Sequence, residues 1–214
     1  MTFVASTPPH AARGEVLQMY ARQQQHWGYV PNYALAFSHR PEIMARWASL
    51  LAGIRRNIEP RRFELVTLAA AHALRNSYCA LAHGRALTEH LPAHAVLAIA
   101  RGREAQVLSP ADTAMVRFAR KVASDATAVS DTDIETLREH GFSDEAIFDI
   151  VLSAAARAFF AKVLDGVGAL ADASFMHLDA PLRCALTVGR PIAQAPSATL
   201  QCEQAVEGGD LAGG

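Results

Sequence analysis

Charge of one sign is what this sequence most plainly lacks. Its net charge is -1, so no long-range field recruits nucleic acid or an anionic membrane surface. Long apolar runs are missing too. No stretch of about 18 residues is apolar and uncharged, which excludes a membrane-spanning helix. Cysteine is scarce: Cys79, Cys184 and Cys202 are the full set. The opening MTFVASTPPHAARGE has no apolar segment of the secretory type, so the expectation is a reducing cytoplasm and free thiols. Aromatic residues make up only 7%. No strand-like alternation and no short-period repeat can be found. What remains is alanine-rich, 51% apolar and 19% charged, the balance of a globular chain built from closely packed helices.

Helix signals recur along residues 14–176. A first helix is expected from Arg13 to about His26, ended by GYVPN, where Pro31 disfavours a helical Val30. Pro41 and Pro60 stand where a first helical turn accepts proline, and Pro92, Pro110, Asp131 and Ser143 mark further starts. Trp47, Leu50, Leu51 and Ile54 share a helical period and read as core. The helix after Pro60, RRFELVTLAAAHALR, is nearly apolar for three turns and is expected to be central. Residues 1–13 read as a loose start. From 177 to 214 the chain is rich in Pro, Gly and Ala without a period, and reads as an extended or disordered tail.

The chemistry concentrates in NSYCALAHGRAL. Cys79 and His83 are four residues apart, on one helix face, and Glu64 is the lone acid in the apolar helix before them. If Asn76 or Ser77 caps the second helix, Cys79 falls in its first turn, where free N–H groups and the helix dipole favour a thiolate. His83 can take the thiol proton, and Glu64 can fix the imidazole's tautomer. In one unbroken helix Glu64 and Cys79 would stand about 22 Å apart, so the chain must reverse near Asn76-Ser77, or an acid must come from another subunit. The competing reading is a small buried cysteine beside a core histidine.

Three further residues are candidates for binding substrate. Tyr78 can donate to a substrate oxygen. Asn76 can cap the helix or hydrogen-bond within the site. His72, eight residues after Glu64, can line the same pocket or sit in the core. Glu64, His72 and His83 match no metal-ligand spacing, so no metal is expected. The basic run IRRNIEPRR reads as a solvated helix junction.

Glu64, Cys79 and His83 together resemble the signature of the AhpD-like proteins of the carboxymuconolactone decarboxylase superfamily: a Glu, then C-x-x-C, then a His four residues after the second Cys. GYVPNYALAFSHRPEIMARWASLL and DEAIFDIVLSAAARAFFAKVLDGVGAL resemble the peroxidase-related branch, and the likeness spans roughly residues 14–176. The resemblance implies an all-α, AhpD-like helical bundle that forms homo-oligomers. It implies a thiol-dependent peroxidase needing no cofactor, with a small peroxide or other small molecule as substrate and an external thiol as reductant. Cys79 would be the nucleophile, His83 its base and Glu64 the orienting acid. The departure is Asn76, which stands where the signature has its first cysteine, so no disulfide can form within the motif. A sulfenic acid on Cys79 would need Cys184, Cys202 or an outside thiol to resolve it. Two alternatives remain: a decarboxylase-like lyase using a histidine with Arg85 or Arg61-Arg62 for a carboxylate, and a non-catalytic oligomeric member.

Overall fold

The structure is a computed structural model that describes residues 2–194. Among these residues the helices run in the order α1 (Gly14–Trp27), α2 (Asn32–Ala36), α3 (Pro41–Arg55), α4 (Pro60–Ala73), α5 (Ser77–Leu87), α6 (Ala93–Ala100), α7 (Pro110–Ser124), α8 (Asp131–Glu139), α9 (Asp144–Gly166) and α10 (Ala180–Leu186). The described residues contain no strand, only an isolated parallel bridge between Ala171 and Ile192. The fold is all-α, and no helix among the described residues is long and apolar enough to cross a membrane. Pro41, Pro60 and Pro110 each open a helix, where the absent N–H costs nothing.

α4 is the axis of the bundle. Every residue from Phe63 to Ala71 is buried, because α5, α7 and α9 all pack against it. A helix apolar all round can be stable only when covered on all sides. Ala69, Ala70 and Ala71 let the neighbours approach closely. Glu64 is the one charged residue in that buried run, at 4% exposure. On α3, Trp47 and Ile54 are buried, whereas Leu50 is 55% exposed. Leu50 lies at the edge of the stripe and joins Ile43 and Phe159 in an apolar groove between α3 and α9.

The reversal required by the sequence occurs between α4 and α5. Arg75 adopts a left-handed conformation (φ 55°). The Asn76 N–H reaches back to the Ala71 carbonyl and the Arg75 N–H to that of His72, both at 3.0 Å. This is the Schellman closure of a helix, with arginine in the place glycine usually takes. α5 then folds back along α4.

The N-terminal segment is tied down rather than loose. Phe3 N–H donates to Val167 O, Thr7 N–H to Ser38 Oγ, and the Tyr20 hydroxyl to Thr7 O. The expected tail is also corrected over its first part. Residues 180–186 form α10, with Leu182 and Leu186 buried and Leu186 seated against Gly84 of α5. A seven-residue helix is too short for its period to register in the sequence. Residues 195–214, Cys202 included, lie outside the described residues.

The segment after α10 clamps the reversal. Gly189 N–H donates to Ser77 Oγ at 2.8 Å, and Arg75 Nε reaches Val188 O at 3.4 Å. A Cβ on Gly189 would fall 2.0 Å from the Arg75 carbonyl oxygen, so only glycine allows this approach without a backbone shift. Gly189→Ala is therefore expected to destabilise the fold by about 1–3 kcal/mol, as overpacked sites do. Urea denaturation followed by circular dichroism measures this; an unchanged midpoint would show that the clamp carries no stability.

Candidate active site

The start of α5 is anchored through Asn76. Its Oδ1 accepts the Cys79 N–H at 2.8 Å, capping the helix. Its Nδ2 donates to Asp165 Oδ2 at 2.8 Å and to Ala161 O at 3.2 Å, both on α9. Asn76 is 1% exposed, and its amide is fully engaged within the protein. It is a cap and a tie between helices, outside the cavity lining described below.

Cys79 follows in the first turn and is 2% exposed. Burial pushes its thiol up from the ordinary cysteine range; the Arg157 guanidinium pulls the other way, and Asp165 adds to the rise. The atom in polar contact with Sγ is Arg157 Nη1, at 3.6 Å. His83 stands one turn further along α5. Its Nδ1 is 2.6 Å from Glu64 Oε2, so the reversal brings together the acid and the histidine that the sequence separates by 19 residues. Arg55 approaches the other carboxylate oxygen at 3.6 Å from α3.

The protonation states follow from this arrangement. Burial alone would raise Glu64, but His83, Arg55 and Arg157 outweigh it and hold the carboxyl below its usual range. Burial and the two arginines hold His83 below its usual value, against the pull of Glu64. Near neutral pH Glu64 is ionised and His83 neutral. The proton then lies on Nδ1, donated to Glu64, and Nε2 is left as an acceptor.

A cavity of about 330 Å³ opens over these groups. Cys79, His83, Glu64 and Arg157 supply its polar wall. Trp27, Tyr33, Trp47 and Phe160 supply an aromatic one, with Trp47 stacked on Phe160 at 5.3 Å. Tyr78 also lines it, but its hydroxyl donates to Asp172 Oδ2 at 2.5 Å and accepts the Tyr33 N–H at 3.3 Å. The same Asp172 accepts from Tyr29 and the Asn32 N–H, and so binds the loop after α1 to the segment after α9. His72 does not line the cavity. The arginines expected for a carboxylate are engaged elsewhere: Arg61 and Arg62 pair with Asp112 at 2.6 and 3.0 Å, and Arg85 lies over Trp27 and Phe175. Arg157 is the residue that sequence reasoning missed. Its signal was the same as that of Glu64, a lone charge in an apolar run, here SAAARAFFA.

Among the described residues no group of His, Cys, Asp and Glu is arranged to hold a metal ion. An uncharacterized peroxidase-related protein from Ralstonia eutropha JMP134, with an alkylhydroperoxidase AhpD core, superposes with a TM-score of 0.71 at 26% identity. The match covers 81% of this chain and 94% of that one. Residues 41–121 match the sequence model of the Carboxymuconolactone decarboxylase family. Over residues 41–121 the chain thus carries that family's sequence pattern, on an AhpD-like fold. No curated protein matches it. Two further structures share the AhpD-like fold. A peroxidase-related protein from Silicibacter sp. TM1040 matches at 19% identity and TM-score 0.70, over 81% of this chain and 95% of its own. The debrominase Bmp8, solved as a cysteine-to-alanine variant with 2,3,4-tribromopyrrole, matches at 17% and 0.66, over 86% and 95%.

His72 carries a consequence for stability. Its Nε2 is buried without a partner, and burial, with Arg120 nearby, lowers its pKa from 6.5 to about 4. The unfolded chain therefore binds this proton more readily than the folded one, and stability falls as the pH drops from 6.5 toward 4. Thermal unfolding measured across that window should show a shallower loss in His72→Leu than in the wild type. Equal slopes would remove His72 as the cause.

Proposed function

We propose that the protein is a thiol-dependent oxidoreductase of the AhpD type that works with one active-site cysteine. Its substrate is a small organic peroxide or a similar small electrophile, and its electrons come from an external thiol. The observation that carries this reading is the Glu64–His83 contact at 2.6 Å, set in the cavity that Cys79 also lines.

In this scheme His83 Nε2 takes the Cys79 proton as sulfur attacks the outer peroxide oxygen. The O–O bond breaks, and the leaving alkoxide receives the proton from His83, giving an alcohol and a Cys79 sulfenic acid. An external thiol attacks the sulfenic sulfur and water leaves. A second thiol then breaks the mixed disulfide and restores Cys79. Asn76 offers no sulfur, and Cys184 is an exposed free thiol on α10, so an outside reductant fits the residues present. The aromatic wall suits an organic substrate better than hydrogen peroxide. The exposed apolar side chains of Ile43, Leu50, Phe148 and Phe159 on α3 and α9 support a homo-oligomer.

The burial of Cys79 favours a second reading, a member of the superfamily that binds and assembles without catalysis. Cumene hydroperoxide oxidation of Cys79, trapped with dimedone in a Cys184→Ser, Cys202→Ser background, separates the two. The expected result is rapid labelling that slows by about 10²–10⁴-fold in His83→Ala, the usual contribution of a general base. Because His83 titrates below its usual value, the wild-type rate should hold down to about pH 6.5 and fall only in more acidic solution. A Cys79 that peroxide does not label, or labels equally without His83, would leave the non-catalytic reading.

A further inference from the structure

Arg157 lies on α9, 78 residues beyond Cys79, and is 4% exposed. A buried guanidinium normally has a carboxylate against it, because an uncompensated buried charge is costly. None lies within 4.0 Å of Arg157 among the described residues; Glu64, the acid of the site, is shared between His83 and Arg55. Among the described residues the one polar contact of the guanidinium is the Cys79 sulfur at 3.6 Å, and its buried Nε meets no acceptor. Phe160 lies beside it at 5.7 Å and offers only a ring face. The arrangement is a cation short of an anion, aimed at the one atom in the site that becomes anionic during the reaction.

We propose that Arg157 is a catalytic residue: it stabilises the charge that develops on Cys79 sulfur, and afterwards holds the oxygen of the sulfenic acid. The proposal rests on the peroxidase-like reading above and adds a group that reading does not require. Its chemistry is that of a preformed, buried donor placed where charge appears. When sulfur loses its proton to His83, the new anion faces Arg157 directly and completes an ion pair that the resting site lacks. After oxygen transfer, the remaining N–H groups of the fork can reach an oxygen on that sulfur. No second cysteine stands in the motif to consume the sulfenic acid at once, so a donor that holds its oxygen keeps the sulfur placed for attack by an external thiol, with water as the leaving group. The other charges facing Cys79 are Asp165 on α9, held by Asn76, and, across the cavity, the Glu64–His83–Arg55 group.

Arg157→Met and Arg157→Lys, in the Cys184→Ser, Cys202→Ser background, test this. A cation kept for function alone costs the fold stability, so Arg157→Met should melt at or above the parent temperature. Its dimedone labelling by cumene hydroperoxide should fall at least tenfold, and Arg157→Lys should recover part of the loss. The ratio of alkylation by anionic iodoacetate to that by neutral iodoacetamide should be high in the parent and drop in Arg157→Met, a change that a packing role would not produce. A methionine variant that melts lower while keeping its labelling rate and its reagent ratio would make Arg157 a structural residue and overturn the inference. If His83→Ala is still slow in that case, the peroxidase-like reading survives without it. A parent Cys79 inert to peroxide overturns both.

Discussion

The reversal of the chain at Arg75 and Asn76 is the constraint on which the rest of the site depends. In one straight helix the acid and the cysteine would be about 22 Å apart, too far for any chemistry. The left-handed Arg75, the closure onto Ala71 and His72, and the Asn76 cap turn that separation into a cross-helix contact. Glu64 and His83 meet because α4 and α5 lie antiparallel, side by side. The reversal is held in turn by a distant part of the chain, since Val188 and Gly189 grip it from the far side. Residues that look like a tail thus set the geometry of the cavity.

Burial and charge act together here. Glu64 is tolerated in the most buried helix because His83 and Arg55 compensate it. Burial and the two arginines, against the pull of Glu64, leave His83 neutral and its Nε2 open. The same burial works against Cys79 by disfavouring its thiolate, and Arg157 is the group that opposes this. Burial, opposed or reinforced by charges from three other helices, therefore sets the protonation of the two residues on α5: Arg157 and Asp165 act on Cys79, and Arg157, Glu64 and Arg55 on His83.

Much of this was legible in the sequence, and the failures have physical causes. Proline and cap signals placed the helix starts, and the lone acid in an apolar helix pointed to a paired Glu64. Spacing gave the common face of Cys79 and His83, and the chain's need to reverse. Arg157 was hidden because α9 is alanine-rich and apolar on several faces, so no period singled out its inner side. The pairing of Arg61 and Arg62 with Asp112 is a long-range contact that local pattern does not encode. His72 shared the helix of Glu64, but its side of α4 depends on long-range packing that local pattern does not encode. α10 was lost in a run of Pro and Gly, held by two leucines whose partners lie far away in sequence.

The amide of Asn76 performs two tasks that a thiol cannot perform: it accepts from the first turn of α5, and it donates twice to α9. At this position redox pairing and helix anchoring exclude one another. Replacing the asparagine by cysteine would complete the C-x-x-C spacing on paper, yet leave the Cys79 N–H, the Ala161 carbonyl and Asp165 without their buried partner. The two-cysteine and one-cysteine forms of this site are therefore separated by more than one substitution. A chain crossing between them must first find another way to fasten α5 to α9.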